Sequence, residues 1–297
     1  MTVKKRLFRW EPFEIGFLAP TVVFVAVMMV LPLVYTLWLS LHSWSGGLTA
    51  EPLWVGVSNY VDLLLNDARF RAALARTIWF AGVSVVLQTI LGVAYALLLN
   101  RHFLGRGLFR ALLLLPMTAT PVAVALIWRL MYQPQLGLIN QLLGLVGLGP
   151  YEWISGPSLS MWSLIIADTW QWTPLIALIV LAGLSALPTE PMEAAAVDGA
   201  GPILTFRHVT LPLLRPTLVI AMTLRLIEAL KTFDLILVVT GGGPGFATET
   251  MNVYAYRVTF QYQQLGYSGA LLTTFLVVIA ALAAALLTLR RRYEAAI

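Results

Sequence analysis

The sequence predicts an all-α integral membrane protein in which residues 1–297 form one transmembrane domain of six helices. Two observations support this fold class. The 297 residues are 59% hydrophobic and 11% charged, with a mean hydropathy of +0.83, so polar side chains are too few to cover a soluble globule of this size. A spanning helix needs about 20 mostly apolar residues. The stretches that meet this length are residues 15–41, 77–99, 108–132, 160–187, 211–239 and 270–289.

The first predicted span follows a basic N-terminus, which is also typical of a cleaved signal peptide. The apolar core of a signal peptide is usually about 7–15 residues long, and this stretch is about twice that length. We therefore interpret residues 15–41 as a retained span. The prolines inside the predicted spans do not argue against helices, because neighbouring helices can satisfy the freed backbone groups.

The orientation follows from the lysine and arginine residues in the short loops. If the N-terminus is cytosolic, the basic residues on the cytosolic side outnumber those on the other side by twelve to four. Cytosolic loops are enriched in lysine and arginine, so both termini are predicted to be cytosolic. The cytosolic set is Lys4, Lys5, Arg6, Arg9, Arg101, Arg106, Arg110, Arg207, Arg215, Arg290, Arg291 and Arg292, and the opposite set is Arg69, Arg71, Arg76 and Arg257.

The same distribution accounts for the net charge of +5, so a nucleic-acid partner is not required. The chain has no cysteine, which excludes disulfides and thiolate metal sites. Its three histidines fall in three different loops without ligand spacing, which argues against a metal centre. No G-x-x-x-x-G-K-[ST] motif is present, so we expect this chain to bind no nucleotide cofactor in the P-loop manner.

The fourth predicted span contains the polar stretch DTWQWTP. A carboxylate inside the membrane costs about 2.5–3.5 kcal/mol unless it faces water or a partner, and tryptophan rings suit sugar rings in a pocket. This predicts a substrate path that includes Asp168, Trp170, Gln171 and Trp172. The alternative is that the carboxylate is bonded within the helix bundle and that the tryptophans form an interfacial belt.

The fifth predicted span has four charged residues at i, i+3 spacing with alternating sign, namely Arg225, Glu228, Lys231 and Asp234. Side chains at this spacing can pair along one helix. We predict that they shape an external gate below the loop Gly241, Gly242, Gly243 and Pro244. The alternative is a set of purely structural ion pairs.

Between these two spans lies a coupling segment, residues 189–210, on the predicted cytosolic side. Thr189 is a possible cap of a helix of about three turns, whose first turn has Glu190 and Glu193. Gly199 and Pro202 end it. The surface of this helix is formed by Ala194, Ala195, Ala196 and Ala200. So short a helix is marginal alone, and its smooth face suits a groove on another protein. The alternative is a simple connector packed on its own bundle.

This segment resembles the cytoplasmic loop of binding-protein-dependent ABC importer permeases, where the pattern is EAA, three residues, Gly, nine residues and I-x-LP. Glu193, Ala194, Ala195, Gly199, Leu211 and Pro212 match at this spacing, and Val209 replaces the usual Ile. The stretches VGVSNYVDLLLNDARF, LLLLPMTATPVAVALIWRLMYQPQLGLIN and LKTFDLILVVTGGGP are similar to the carbohydrate-uptake branch of that family. One departure is Arg76, where the family usually has Asn.

The resemblance implies that the chain is a multi-pass permease of the cell inner membrane and not an enzyme. It implies two ATPase subunits that use ATP and Mg²⁺, docked on a coupling helix formed by Glu193, Ala194, Ala195, Asp198, Gly199 and Ala200 with Leu211 and Pro212 behind it. It also implies an extracytoplasmic solute-binding protein, met by the Gly241–Pro244 loop. Lys231, Phe233 and Asp234 resemble the K-x-F-D of first-type permeases, which implies a heterodimer with a different permease.

Two further function classes were compared with this interpretation. A secondary transporter driven by an ion gradient would need paired repeats and midplane carboxylates, and a membrane-embedded enzyme would need a nucleophile, a base or a metal on one face. The sequence shows neither pattern. It leaves the solute open between a disaccharide, a monosaccharide, a polyol and glycerol-3-phosphate.

Overall fold

The computed structural model describes residues 12–45 and 51–294, and these residues are mostly helical. The basic N-terminal residues Lys4 to Arg9, used above for orientation, lie outside the described part. In chain order the α-helices are α1 (Pro12–Ser40), α2 (Ser58–Val61), α3 (Ala68–Asn100), α4 (Arg106–Thr118), α5 (Pro121–Met131), α6 (Leu138–Gly144), α7 (Pro157–Ser185), α8 (Glu190–Val197), α9 (Pro202–Thr205), α10 (Leu211–Leu230), α11 (Asp234–Val239), α12 (Met251–Tyr256) and α13 (Leu265–Glu294).

Short elements complete the secondary structure. Strands β1 (His42–Ser43) and β2 (Leu53–Trp54) pair antiparallel, with His42 opposite Trp54. Single π-helical turns cover Asp62–Asn66, Phe206–Thr210 and Arg257–Gln261.

Four helices of the described chain are long and apolar enough to cross a membrane, and a fifth crossing results if α4 and α5 are taken as one broken span. The four stretches are Gly16–Ser40, Ala68–Asn100, Pro157–Ser185 and Leu265–Thr288. These stretches overlap the first, second, fourth and sixth predicted spans. The membrane-protein fold class is therefore confirmed at this coarser level.

The third predicted span, residues 108–132, is not one continuous helix. It consists of α4 and α5, which are bent by 97° relative to each other. Pro121 is the first residue of α5, and the residue before it, Thr120, is extended with φ −66° and ψ 141°. Proline disfavours the helical conformation in the residue before it and provides no N–H to continue a helix. The break therefore follows from Pro121, which the sequence interpretation had accepted within a span.

The fifth predicted span, residues 211–239, is also interrupted. Helix α10 ends at Leu230, residues 231–233 are non-helical, and α11 starts at Asp234. Thr and Asp favour helix ends over helix interiors, and Asp234 lies in the first turn of α11, where a negative charge is favourable. The three charged residues within α10, namely Arg215, Arg225 and Glu228, also keep this helix outside the group of clearly apolar spans.

The described chain divides into two units. The first holds residues up to Asn66 together with Val258–Thr274. In this unit Asn59 Nδ2 donates hydrogen bonds to the carbonyl oxygens of Ser40 (2.9 Å) and His42 (3.0 Å), which ties α2 to the end of α1. The apolar stretch of α1 has no buried share. This surface needs lipid or another protein to cover it.

The second unit holds Asp67–Arg257 together with the residues from Phe275 onward. Its centre is the contact between α3 and α7. A Cβ atom on Gly92 of α3 would lie 2.8 Å from Ile176 Cγ2 of α7, so glycine is required for this close approach. Buried apolar side chains pack on both sides of the crossing, with Phe80, Leu164 and Ile165 in one cluster and Leu99 and Val180 in the other.

Candidate functional site

Three helices of the second unit meet at a buried polar centre formed by Gln88 of α3, Asp168 of α7 and Arg225 of α10. Arg225 Nη2 lies 2.6 Å from both carboxylate oxygens of Asp168, and Arg225 Nε donates to Gln88 Oε1 at 2.9 Å. Gln88 Nε2 in turn donates to Asp168 Oδ2 at 2.8 Å. The Arg225 and Asp168 side chains are each 1% exposed. The two charges are thus paired and hydrogen-bonded, as buried charges require.

A polar cavity adjoins this centre and extends to the break between α10 and α11. Its lining brings together seven of the eight residues predicted for the substrate path. The lining residues are Pro121, Asp168, Gln171, Trp172, Arg225, Glu228, Lys231, Thr232, Phe233, Asp234 and Leu235. The Trp172 ring also faces the Arg225 guanidinium, whose central carbon is 5.3 Å from the ring centroid.

Trp170 is the predicted path residue that the structure does not place at the polar cavity. A residue two positions after Asp168 is rotated by about 200° around the helix, whereas residues 171 and 172 return to the same face. Trp170 instead lines an apolar groove between α3, α4 and α7 and contacts Trp128 edge-on at 5.8 Å.

The charged residues of the fifth predicted span do not form one ladder along a helix. Arg225 pairs with Asp168 on another helix. Lys231 Nζ lies 2.7 Å from Glu228 Oε1, and both of these side chains are about half exposed. Asp234 belongs to the next helix, and its carboxylate has no ion-pair partner within residues 12–45 and 51–294. The i, i+3 spacing predicted the middle pair and missed the partner of Arg225.

Two polar side chains of this region were missed or undervalued from the sequence. Gln88 was not singled out, although a glutamine within the apolar run VVLQTIL is a signal, since polar groups inside a membrane are expensive. Gln171 lines the polar cavity, and its Nε2 atom is buried without a hydrogen-bond partner among the residues that the structure describes. A buried donor without a partner is costly, and in a cavity it marks a position that a ligand oxygen can fill.

In the coupling segment, α8 has eight residues and therefore about two turns, one fewer than predicted. Thr189 makes no side-chain cap, although its carbonyl accepts bonds from Met192 and Glu193. Gly199 has φ +76°, as the helix end was expected to require. Gly199 N–H donates to the carbonyl of Ala196 and Ala200 N–H to that of Ala195, the bond pattern of a Schellman motif.

The surface of this segment is open and partly apolar. Val197 is 88% exposed and Ile203 is 82% exposed, whereas Leu211 and Pro212 are partly buried in the first turn of α10. A shallow hollow lies between α8 and the residues after it. It is lined by Ala195, Asp198, Gly199, Ala200, Leu204, Thr205, His208 and Val209.

The Gly241–Pro244 loop is folded back onto its own surroundings. Arg257 Nη2 donates to the Gly241 carbonyl at 2.7 Å, and Thr248 Oγ1 donates to the Gly243 carbonyl at 2.7 Å. Gly242 is buried and has φ +86°. The loop is therefore held at several points of its backbone.

Below this loop lies Glu249, which the sequence analysis did not single out. Its side chain is fully buried, and it accepts two bonds of 2.7 Å from Arg69 and one of 2.6 Å from Arg257. The Arg69 guanidinium also lies 4.0 Å from the centroid of the Phe246 ring. These contacts fix the loop to the start of α3. The partners are 180 and 8 residues away in sequence, so local spacing gave no signal.

Comparisons with known proteins agree with this architecture. Residues 88–293 match the family model described as a binding-protein-dependent transport system inner membrane component. The chain is 40% identical over 263 residues to the trehalose/maltose transport system permease protein MalF of Thermococcus litoralis, covering 88% of this chain and 87% of that protein. It is 36% identical over 258 residues to the sulfoquinovosyl glycerol transport system permease protein SmoG of Agrobacterium fabrum, covering 86% and 82%.

Among solved structures, the fold is similar to that of a bacterial ABC transporter involved in import of the acidic polysaccharide alginate. The TM-score is 0.81 at 21% identity, over 93% of this chain and 94% of that one. A second structure of the alginate transporter, in complex with a periplasmic protein bound to an alginate pentasaccharide, gives the same TM-score.

The matched family covers more than half of the chain, and the family relatives are ABC transporter permeases rather than ion-driven transporters or enzymes. The alternative of a secondary transporter is therefore set aside. The chain belongs to the family of inner membrane components of binding-protein-dependent transport systems, and it is a multi-pass permease of an ABC importer.

Proposed function

We propose that this permease moves a neutral sugar through the polar cavity between α7, α10 and α11. The observation that carries this proposal is Gln171, a buried amide donor without a partner in the cavity wall. A sugar hydroxyl can accept this hydrogen bond, and the neighbouring Trp172 ring offers an apolar face of the kind that packs on a sugar ring. Relatives named for trehalose, maltose and sulfoquinovosyl glycerol support a sugar as cargo.

The preference for a neutral solute follows from the charges around the cavity. Its lining has two positive side chains, Arg225 and Lys231, and three negative ones, Asp168, Glu228 and Asp234, a net charge of −1. Both positive groups are already paired with carboxylates. A phosphate or carboxylate on the solute would meet no available cation here and would be repelled by Asp234. This favours a mono- or disaccharide or a polyol over glycerol-3-phosphate.

We further propose that the coupling segment docks in a cleft of an ATPase subunit, and that the complete transporter has two such subunits, one below each permease. ATP and Mg²⁺ would be bound by those subunits and not by this chain. The exposed Val197 and Ile203 side chains and the hollow beside α8 support this proposal, because exposed apolar side chains that lie together are typical of interaction surfaces. In this arrangement Glu193 lies at the helix start, where it can pair with a basic group of the ATPase.

The remaining partners are proposed from the resemblance. A second, different permease would complete the membrane domain, which fits the lack of any buried share in the apolar stretch of α1. An extracytoplasmic binding protein would deliver the sugar at the Gly241–Pro244 side.

Six crossings with both termini cytosolic result if α4 with α5, and α10 with α11, each form one broken span. Reporter fusions at Ser45, Gly147 and Gly245 should then report the outside, and fusions at Gly105 and Gly201 the inside.

The decisive experiment compares two neighbouring residues of α7 in the complete transporter, reconstituted with its binding protein. Gln171→Leu should reduce sugar uptake by about tenfold, because it removes a hydrogen bond to a desolvated hydroxyl. Trp170→Leu, on the opposite face of the helix, should leave uptake near the parent level. Uptake should stop on ATP depletion and persist with an uncoupler alone. Equal sugar uptake by the two variants would contradict the proposal that the sugar passes through the polar cavity.

A further inference from the structure

A second site lies outside the polar cavity, in a groove between the third turn of α3 and the start of α7. We call it the tryptophan groove, and its lining residues are Ala75, Arg76, Trp79, Ser158, Met161, Trp162 and Ala247. Arg76 and Trp79 are one turn apart on α3, and Ser158 and Trp162 are one turn apart on α7. The two indole rings meet nearly at right angles, 6.3 Å between centroids.

The guanidinium of Arg76 has donor capacity that the described residues leave unused. Its hydrogen bond from Nη1 to the Glu249 carbonyl oxygen is long, at 3.4 Å. The carboxylate of Glu249 is already bonded by Arg69 and Arg257. Arg76 is partly buried and has no carboxylate partner within the described ranges. A planar guanidinium in this state matches two oxygens of a phosphate group.

The depth of the groove is set by the length of α3. Its 33 residues extend for about 50 Å, well beyond the roughly 30 Å of the hydrocarbon layer. The charged residues at its start end with Arg76, and the apolar run begins at Thr77. Trp79 lies about 4.5 Å deeper. Trp79 and Trp162 are 54% and 43% exposed, and tryptophans at such a level are typical of the interface between headgroups and acyl chains.

We propose that the tryptophan groove binds an anionic phospholipid. The Arg76 guanidinium holds the lipid phosphodiester, and the two indoles with Met161 contact the glycerol backbone and the upper part of the acyl chains. A lipid fits better than free phosphate because most of the lining is apolar and its two tryptophan side chains are partly exposed. An anionic lipid fits better than a zwitterionic one because Arg76 is the one charged side chain of the lining, which has no carboxylate for an ammonium group.

The test uses the complete transporter, purified from membranes containing phosphatidylglycerol and analysed by native mass spectrometry. Arg76→Asn should lower the retained phosphatidylglycerol by roughly tenfold or more, as expected for loss of a charge-assisted bond. The matched control is Arg71→Asn, which removes the same charge from α3 outside the groove and should retain the lipid. Washing with inorganic phosphate should not displace it.

Three outcomes would overturn the proposal: equal retention by Arg76→Asn and the parent, displacement by inorganic phosphate, or equal retention of phosphatidylcholine. If Arg76→Asn fails to fold, Trp162→Ala provides the same test without touching the Arg76 bond to the Glu249 carbonyl. It should also lose lipid, and full retention would count against the groove. Because the site is separate from the polar cavity, sugar uptake by Gln171→Leu does not bear on this result.

Discussion

Arg225 of α10 and Asp168 of α7 form an ion pair of 2.6 Å in which both side chains are 99% removed from solvent. They are 57 residues apart in sequence, and the pair joins two helices that border the polar cavity. The pair therefore positions the cavity wall.

Removing one partner of this pair leaves an unpaired charge inside the membrane domain. Asp168→Asn or Arg225→Met alone should lower the free energy of unfolding by about 3–5 kcal/mol. The double variant should regain most of that loss, since no charge is left uncompensated. Thermal unfolding of the detergent-solubilised permease measures this. A double variant that is no more stable than the less stable of the two single variants would contradict a direct ion pair between Asp168 and Arg225.

Gly199 and Gly201 offer a matched pair in the coupling segment. Both have open space where a Cβ would be placed, but Gly199 has φ +76° and Gly201 has φ −68°. Gly199→Val should therefore strain the Schellman turn by about 1–2 kcal/mol and displace α8, whereas Gly201→Val should be tolerated. We expect Gly199→Val to insert normally but to lose ATPase co-purification or substrate-stimulated hydrolysis. Identical behaviour of the two variants would favour a simple connector.

The contribution of Glu193 to ATPase docking can be distinguished from its effect on helix stability by comparison with Glu190, which lies in the same first turn. Reversing either charge should change helix stability by only about 0.3–1 kcal/mol. We expect Glu193→Lys to impair ATPase docking more strongly than Glu190→Lys, because Glu193 belongs to the EAA motif and is the residue that we propose to pair with a basic group of the ATPase. Co-purification of the ATPase with each variant checks this, and equal loss would indicate a non-specific charge effect.

Glu228 and Lys231 form a half-exposed pair at the rim of the polar cavity. Such pairs contribute about 0–1 kcal/mol, so Glu228→Gln should leave thermal stability and assembly with the second permease nearly unchanged. If the rim acts as a gate, uptake should nevertheless fall. If Glu228→Gln instead fails to assemble with the second permease, the pair has a structural role.

Glu249 tests how the Gly241–Pro244 loop is held. Glu249→Gln leaves Arg69 and Arg257 without their shared carboxylate, and we expect the local stability to fall by about 3 kcal/mol. Limited proteolysis should then cut the loop faster, and stimulation of ATP hydrolysis by the binding protein should weaken. If the variant loop resists proteolysis as well as the parent loop does, the hydrogen bonds from the Thr248 and Arg257 side chains to the loop carbonyls are sufficient to hold the loop.

The sequence predicted the features that depend on composition and local pattern. Apolar length located the four clear spans, and the acidic first turn followed by the Gly199 and Pro202 break predicted α8 and the positive φ of Gly199. The failures concern breaks and long-range partners. Pro121 starts a new helix after a 97° bend. The size of this bend depends on the residues around Pro121 as well as on the proline itself. Similarly, i, i+3 spacing favoured Arg225 pairing with Glu228, whereas the buried carboxylate of Asp168 was the stronger partner and lay on another helix.

The polar centre also has a consequence for the order in which the chain is made. Gln88 is synthesised first, so when α7 enters the bilayer its Asp168 can already accept a hydrogen bond from the Gln88 amide. Helix α10 follows, and Arg225 then meets a carboxylate and an amide oxygen that are both in place. A lone charge at the middle of a helix costs about 2.5–3.5 kcal/mol during insertion. Asp168 and Arg225 thus each reach the membrane after a partner that is already in place, and α10 is inserted during biosynthesis as the third member of this set.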